Sequence, residues 1–187
     1  MAKKENSKAL STDIDKTAIE KIQNRVDNNT VLIREVVDSL VAEFCESLDN
    51  YMSFIQDVLN DDENPPIDAE LDDFALKIPV LLYFTSNAQE TLGIKEDVAK
   101  AIRQELYNSA YELATGTVAD KTAAAELASQ NEALAHIAYS RAYKVCKAKC
   151  EAAYEVLNSV KKVISRRVAE YELSNGIPGG IGGHDGK

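Results

Sequence analysis

Tryptophan is absent from this chain of 187 residues, phenylalanine occurs only four times, glycine eight times and proline four. Several of the glycines fall near the C-terminus. A chain short of large aromatics and glycine, but rich in Ala, Glu, Lys and Leu, favours helices over sheets. No apolar run approaches the roughly 18 residues a membrane span needs, so no spanning segment and no membrane partner are expected. The opening Met1-Ala-Lys-Lys-Glu-Asn-Ser-Lys8 is basic but leads into no apolar stretch, and is not read as a signal peptide. Cys45, Cys146 and Cys150 are odd in number and lie within helical patterns. That usage suits free thiols in a reducing cytoplasm better than a disulfide framework.

The motifs of common chemistries are missing as well. The glycine-rich tail follows a helix instead of opening one, and no Lys-Ser or Lys-Thr comes after it, so it is no phosphate loop. There is no Gly-x-Ser-x-Gly elbow, and the two histidines are His136 and His184. Cys146 and Cys150 share a helix face with His136 ten residues before them, but a structural zinc site wants a fourth ligand, and buried thiols are the simpler reading. The carboxylates from Asp61 to Asp73 lack the Asp-x-Asp-x-Asp-Gly order of a calcium loop and read as a solvated acidic turn. The expectation is a non-enzymatic protein without cofactor or metal.

What is present is an asymmetry of charge. The net charge is −10, yet residues 1–116 carry 11 basic and 23 acidic side chains, while residues 117–187 carry 10 and 8. Between Arg34 and Lys77 there is no Lys or Arg, while 13 carboxylates fall from Glu35 to Asp73. From Arg141 to Arg167 there are eight basic residues against Glu151 and Glu155. A local basic strip can meet nucleic acid even on an acidic protein.

Four regions follow from the patterning. Residues 1–16 are polar and read as disordered. Residues 17–115 form an acidic helical region. Thr17-Ala-Ile-Glu20 fits a capping box, and apolar residues from Ile22 to Leu59 recur at three- and four-residue steps, with Asn28-Asn29 a candidate break. Asn60 to Pro66 is a stop. A second helix is expected from Asp68 to Leu92, with Leu71, Phe74, Ile78, Leu81, Leu82 and Thr85 inward, a kink at Pro79 and an end at Gly93. A third should run from about Lys95 to Ala114, carrying Val98, Ile102, Leu106, Tyr107, Ala110 and Leu113, before a turn in which Gly116 can take the left-handed conformation. Residues 116–174 read as one long basic-faced helix, and 175–187 as a flexible Gly-rich tail.

At about 100° per residue, with Arg141 as zero, Val145, Ala152, Val156, Val160 and Val163 fall between about 20° and 100°, the expected core face. Arg141, Lys144, Lys147, Lys162 and Arg166 lie on the opposite side, Lys161 just beyond, and Tyr143 and Tyr154 border the strip. Cations beside phenol rings can track phosphates and stack bases. A solvated, salt-bridged helix face would look similar, since Glu151 stands four residues from Lys147. Lys149 and Arg167 break the pattern by projecting onto the apolar face. Either the helix leaves the core near its end, or these side chains snorkel, or they meet carboxylates of another helix or subunit, for which the acid-only stretch 35–73 is the obvious source.

The Thr117-Val118 turn, the long Ala- and Glu-rich helix and the ending Val160-Lys-Lys-Val-Ile-Ser-Arg-Arg167 resemble phage recombination mediators of the UvsY type. The resemblance covers about residues 117–172. It implies single-stranded DNA binding, self-association, and a recombinase or single-strand-binding protein as partner, in a bacterial host cytoplasm if the chain is phage-encoded. It would put DNA contact on Lys161, Lys162, Arg166 and Arg167. The sequence thus leads to an all-α helical bundle with a long C-terminal helix, oligomeric, acting as an accessory factor of DNA recombination or replication. Two alternatives stay open: a structural, assembly or adaptor protein such as a virion component, and an acidic inhibitor of a host protein.

Overall fold

The computed structural model describes the backbone of residues 2–175 and the side chains of residues 19–175. The glycine-rich tail from 176 onward, with His184, lies outside the described residues. Four helices follow one another: α1 (Ala2–Leu59), α2 (Asp68–Leu113), α3 (Val118–Ala128) and α4 (Gln130–Ser174), and there is no strand among the described residues. The all-α expectation holds.

Several boundaries differ from the sequence reading, each for a local reason. The backbone is helical from Ala2, so residues 2–16 belong to α1 and Thr17 lies inside the helix instead of capping it. No glycine or proline precedes Pro65, and Asn28-Asn29 costs a helix only a few tenths of a kcal/mol per residue, about the intrinsic penalty of Asn. Gly93 likewise fails to end α2, which continues to Leu113. A glycine inside a helix costs only about 1 kcal/mol, too little to end one that packs on both sides of it; a Cβ at Gly93 would lie 3.4 Å from Cε2 of Tyr143, in ordinary contact. Pro79 is also accommodated within α2. It lacks the N–H that would bond to the carbonyl of Ala75, but it sits on the exposed side of the helix, where water can satisfy that carbonyl.

The expected single C-terminal helix is two helices, parted at Ser129. This residue leaves helical geometry at φ −98°, ψ 13°. Its hydroxyl and its N–H both donate to the carbonyl of Ala125, at 2.9 and 3.1 Å. A serine that bonds back in this way bends a helix. α3 opens on a capping box in which Asp120 N–H donates to Thr117 Oγ1 and Thr117 N–H donates to Asp120 Oδ2, at 3.3 and 2.9 Å. Gly116 has the expected positive φ, 112°.

The chain divides into two compact units. The first comprises Met1–Glu43 with Thr91–Val145, and the second Phe44–Glu90 with Cys146–Lys187. In the second unit three helix segments share one core: Leu48 and Ile55 of α1, Leu71, Phe74 and Ile78 of α2, and Ala153, Leu157 and Val160 of α4. The three- and four-residue steps of those positions put each set on one helix face. Phe74 is bordered by Tyr51 and Phe54, edge-on at centroid distances of 6.3 and 6.2 Å. The buried positions of the first unit are smaller: Val37 and Val41 of α1, Leu92 and Ala99 of α2, Ala125 of α3, and Ala138 and Ala142 of α4.

Candidate functional site

The core face of α4 decides which of its side chains are free to act. It runs through Ala142, Cys146, Ala153, Leu157 and Val160, from about 100° to 160° on the scale that sets Arg141 to zero at 3.6 residues per turn. It is therefore rotated away from the expected valine face, and Val145 and Ala152 stand exposed. The physical reason is size. Alanine and cysteine let helices approach closely, and the seam follows them, with Val160 buried on it and Val156 and Val163 partly buried at its edge.

In the second unit, Lys147, Lys161, Lys162 and Arg166 are exposed on α4, with Tyr154 at 54% exposure beside them. Lys147 faces Glu151 at 3.9 Å and Arg166 faces Glu170 at 3.5 Å, each one turn along the same helix. Lys161 and Lys162 make no ion pair among the described residues. Arg167, by contrast, is not available as a free cation. Its guanidinium donates to Asp68 Oδ1 at 2.7 Å and to the carbonyl of Pro66 at 2.8 Å. The resemblance counted Arg167 as a DNA contact, but its place on the apolar side of α4 turns it toward the start of α2.

Lys149 has a similar role. Its ammonium donates to both carboxylate oxygens of Asp49 at 2.6 Å, joining α4 to α1. Both cations that break the apolar face are thus met by carboxylates of the acid-only stretch, within this chain. In the first unit, Arg141 and Lys144 are exposed, whereas Tyr143 is half-buried with its ring against Gly93. That contact removes Tyr143 from the set of rings offered for stacking.

The cysteines gather in the second unit. Cys45 Sγ donates to Cys146 Sγ at 3.2 Å, both fully buried, and Cys150 is partly buried beside them. Burial raises the pKa of all three thiols. Neutral thiols packed against small residues are what the seam between α1 and α4 requires. Near them, on the α1–α2 side, Tyr51 donates to Asp73 Oδ2 at 3.0 Å, and Lys77 contacts the same oxygen at 2.8 Å. Burial and that hydrogen bond push the Tyr51 phenol up to about 12, while Lys77 holds the Asp73 carboxyl below its usual range.

A feature missed from the sequence lies in the first unit. Val98 and Ile102 of α2, which the sequence puts in the apolar pattern of a helix, and Ile94 before them are 51%, 46% and 57% exposed. With Ala135 and Tyr139 of α4 they line a groove of 310 Å³, and Leu106 continues the row in exposed position. Ala99, between them in sequence, is buried and lines the same groove, as does Lys95. Glu132 also lines the groove, and its Oε2 is enclosed by protein without a hydrogen-bond partner among the described residues. His136, four residues on, has Nε2 3.9 Å from Glu96 Oε1. The only hint in the sequence is an acid set in the alanine-rich run Glu132-Ala-Leu-Ala135.

Among the described residues, no helix is long and apolar enough to cross a membrane. No family model matches the chain, and neither the curated proteins nor the solved structures contain a match to it.

Proposed function

We propose that this chain is a non-enzymatic helical assembly or adaptor protein, which works by offering apolar helix faces to protein partners, copies of itself included. One observation carries the reading: the row Ile94, Val98, Ile102 and Leu106 stands open along α2 at four-residue steps, bordered by the apolar residues of α4. Contiguous apolar surface of this kind marks protein-interaction sites on soluble domains. A helix laid into such a groove is a common recognition mode. Light scattering on the size-exclusion column, with and without a single-stranded oligonucleotide, tests it. An assembly whose mass is indifferent to the oligonucleotide supports the reading, and a monomer that binds the oligonucleotide tightly overturns it.

A second reading, single-stranded DNA binding in recombination or replication, draws on Lys161, Lys162 and Arg166, exposed together at the end of α4 with Tyr154 on the same helix. Replacing the three cations with Ala would remove up to three phosphate contacts. The slope of log affinity against log salt should then become shallower by up to ~2.1, at ~0.7 per contact. Arg167→Ala should act through the Asp68 contact, lowering stability without changing that slope.

A further inference from the structure

The groove of the first unit has two features. Its lining is apolar apart from Lys95 and Glu132 and suits an amphipathic helix, and Glu132 Oε2, enclosed without a hydrogen-bond partner among the described residues, can take a donor from that helix. The same unit exposes a segment of that description. Ile19, Ile22 and Val26 of α1 are each more than half exposed, at steps of three and four that make one stripe. Arg25 flanks the stripe, is exposed, and makes no ion pair among the described residues. Ile19 to Val26 spans about 10 Å of helix and Ile94 to Ile102 about 12 Å, at ~1.5 Å per residue. Apolar steps, length and charge are therefore matched between two surfaces that this chain leaves open.

We infer that the groove between α2 and α4 is the docking site for the N-terminal part of α1 from a second copy of the chain, with Arg25 of the incoming helix meeting Glu132. This rests on the assembly reading and names its partner and its contact surfaces. The contact joins two different patches, so each copy carries one plug and one groove, and a pair of copies exchanging helices fills both.

Two exposed positions test it without touching the core. Val26→Asp spoils the plug and leaves the groove; Val98→Asp spoils the groove and leaves the plug. Both variants should keep the wild-type circular dichroism spectrum. Light scattering at micromolar concentration should give wild-type mass above the monomer, and each variant should associate about 30-fold more weakly, the scale of an interface hot spot. Mixed together, the two variants should form a pair, because one intact plug then faces one intact groove. Arg25→Glu and Glu132→Lys should each weaken association, and the double variant should recover it. If Glu132→Lys does not fold, Glu132→Gln combined with Arg25→Gln replaces it, and each single change should again weaken association. Wild type that associates while Val98→Asp leaves it intact would overturn the docking site and spare the assembly reading, as would a mixture that stays monomeric. A monomeric wild type would overturn the docking site and the self-assembly part of the reading, and one that also binds the oligonucleotide tightly would overturn the reading whole.

Discussion

The two units solve the same packing problem with different materials. In the second unit large side chains fill a shared core, Phe74, Leu48, Ile55, Leu71 and Ile78, and the Lys149–Asp49 and Arg167–Asp68 contacts tie its helices together. Each such apolar side chain contributes about 1.5–3 kcal/mol on burial. Among the described residues of the first unit, Leu92 is the one large side chain buried as fully, and alanines at 99, 125, 138 and 142 carry most of the rest. Small residues bring backbones close but remove little apolar area from water. Large apolar side chains such as Ile94, Val98 and Ile102 remain on its outside. The second unit also exposes Leu76, Val80, Tyr83 and Phe84 of α2, so the two units differ in what fills the core and not in whether apolar surface is left open.

The contrast can be broken most forcefully at Phe74. Phe74→Ala should cost about 3–5 kcal/mol by cavity formation, whereas Val98→Ala, measured at dilutions where copies of the chain are apart, should stay within about 0.5 kcal/mol. Urea unfolding followed by circular dichroism measures both. Equal losses would mean that the first unit's apolar row is covered in solution.

A smaller effect of opposite sign is expected at Gly93. An added Cβ would meet Tyr143 at 3.4 Å, ordinary contact, and φ there is not positive. Gly93→Ala should therefore stabilise by up to about 1 kcal/mol. Destabilisation in thermal melts would show that Tyr143 cannot yield, and that the first unit is packed more tightly than its alanines suggest.

The smallest effects concern pH, and belong to the second unit. The Tyr51 phenol is raised to about 12. Its contribution should be complete below the usual phenol value of ~10, and be lost as pH rises through about 12. The Asp73 carboxyl is lowered, chiefly by Lys77. Its contribution should be complete above the ordinary ~3.9, and fade as pH falls through the lowered value. Thermal melts of Tyr51→Phe and Asp73→Asn should flatten the alkaline and acid limbs respectively. Unchanged limbs would remove this cluster from the stability of the second unit.

Much of the second unit was legible. Leu71, Phe74 and Ile78 of α2 and Leu48 and Ile55 of α1 follow from three- and four-residue spacing, and the misfit of Lys149 and Arg167 on an apolar face pointed to carboxylate partners in residues 35–73. The first unit was harder to read because its pattern is two-faced. Val98 and Ile102 repeat as core residues do, but so do Leu92 and Ala99, and periodicity by itself gives two faces without saying which is covered.

What the sequence determined by itself is the helical class, the stop at Asn60–Pro66, the turn at Gly116 and the pairing of stray cations with the acidic stretch. Each depends on a local rule of backbone geometry or charge. Tertiary structure alone decided that helices pass through Gly93 and Pro79 but part at Ser129, and that α4 buries an Ala–Cys seam together with Val160 while Val145 stands exposed. It also put Arg167 and Tyr143 in contact with neighbouring elements and left Ile94, Val98 and Ile102 outside. A penalty of about 1 kcal/mol at a glycine, or a choice between two apolar faces, is smaller than what close packing against a neighbouring helix gains or loses. Only the neighbour settles it.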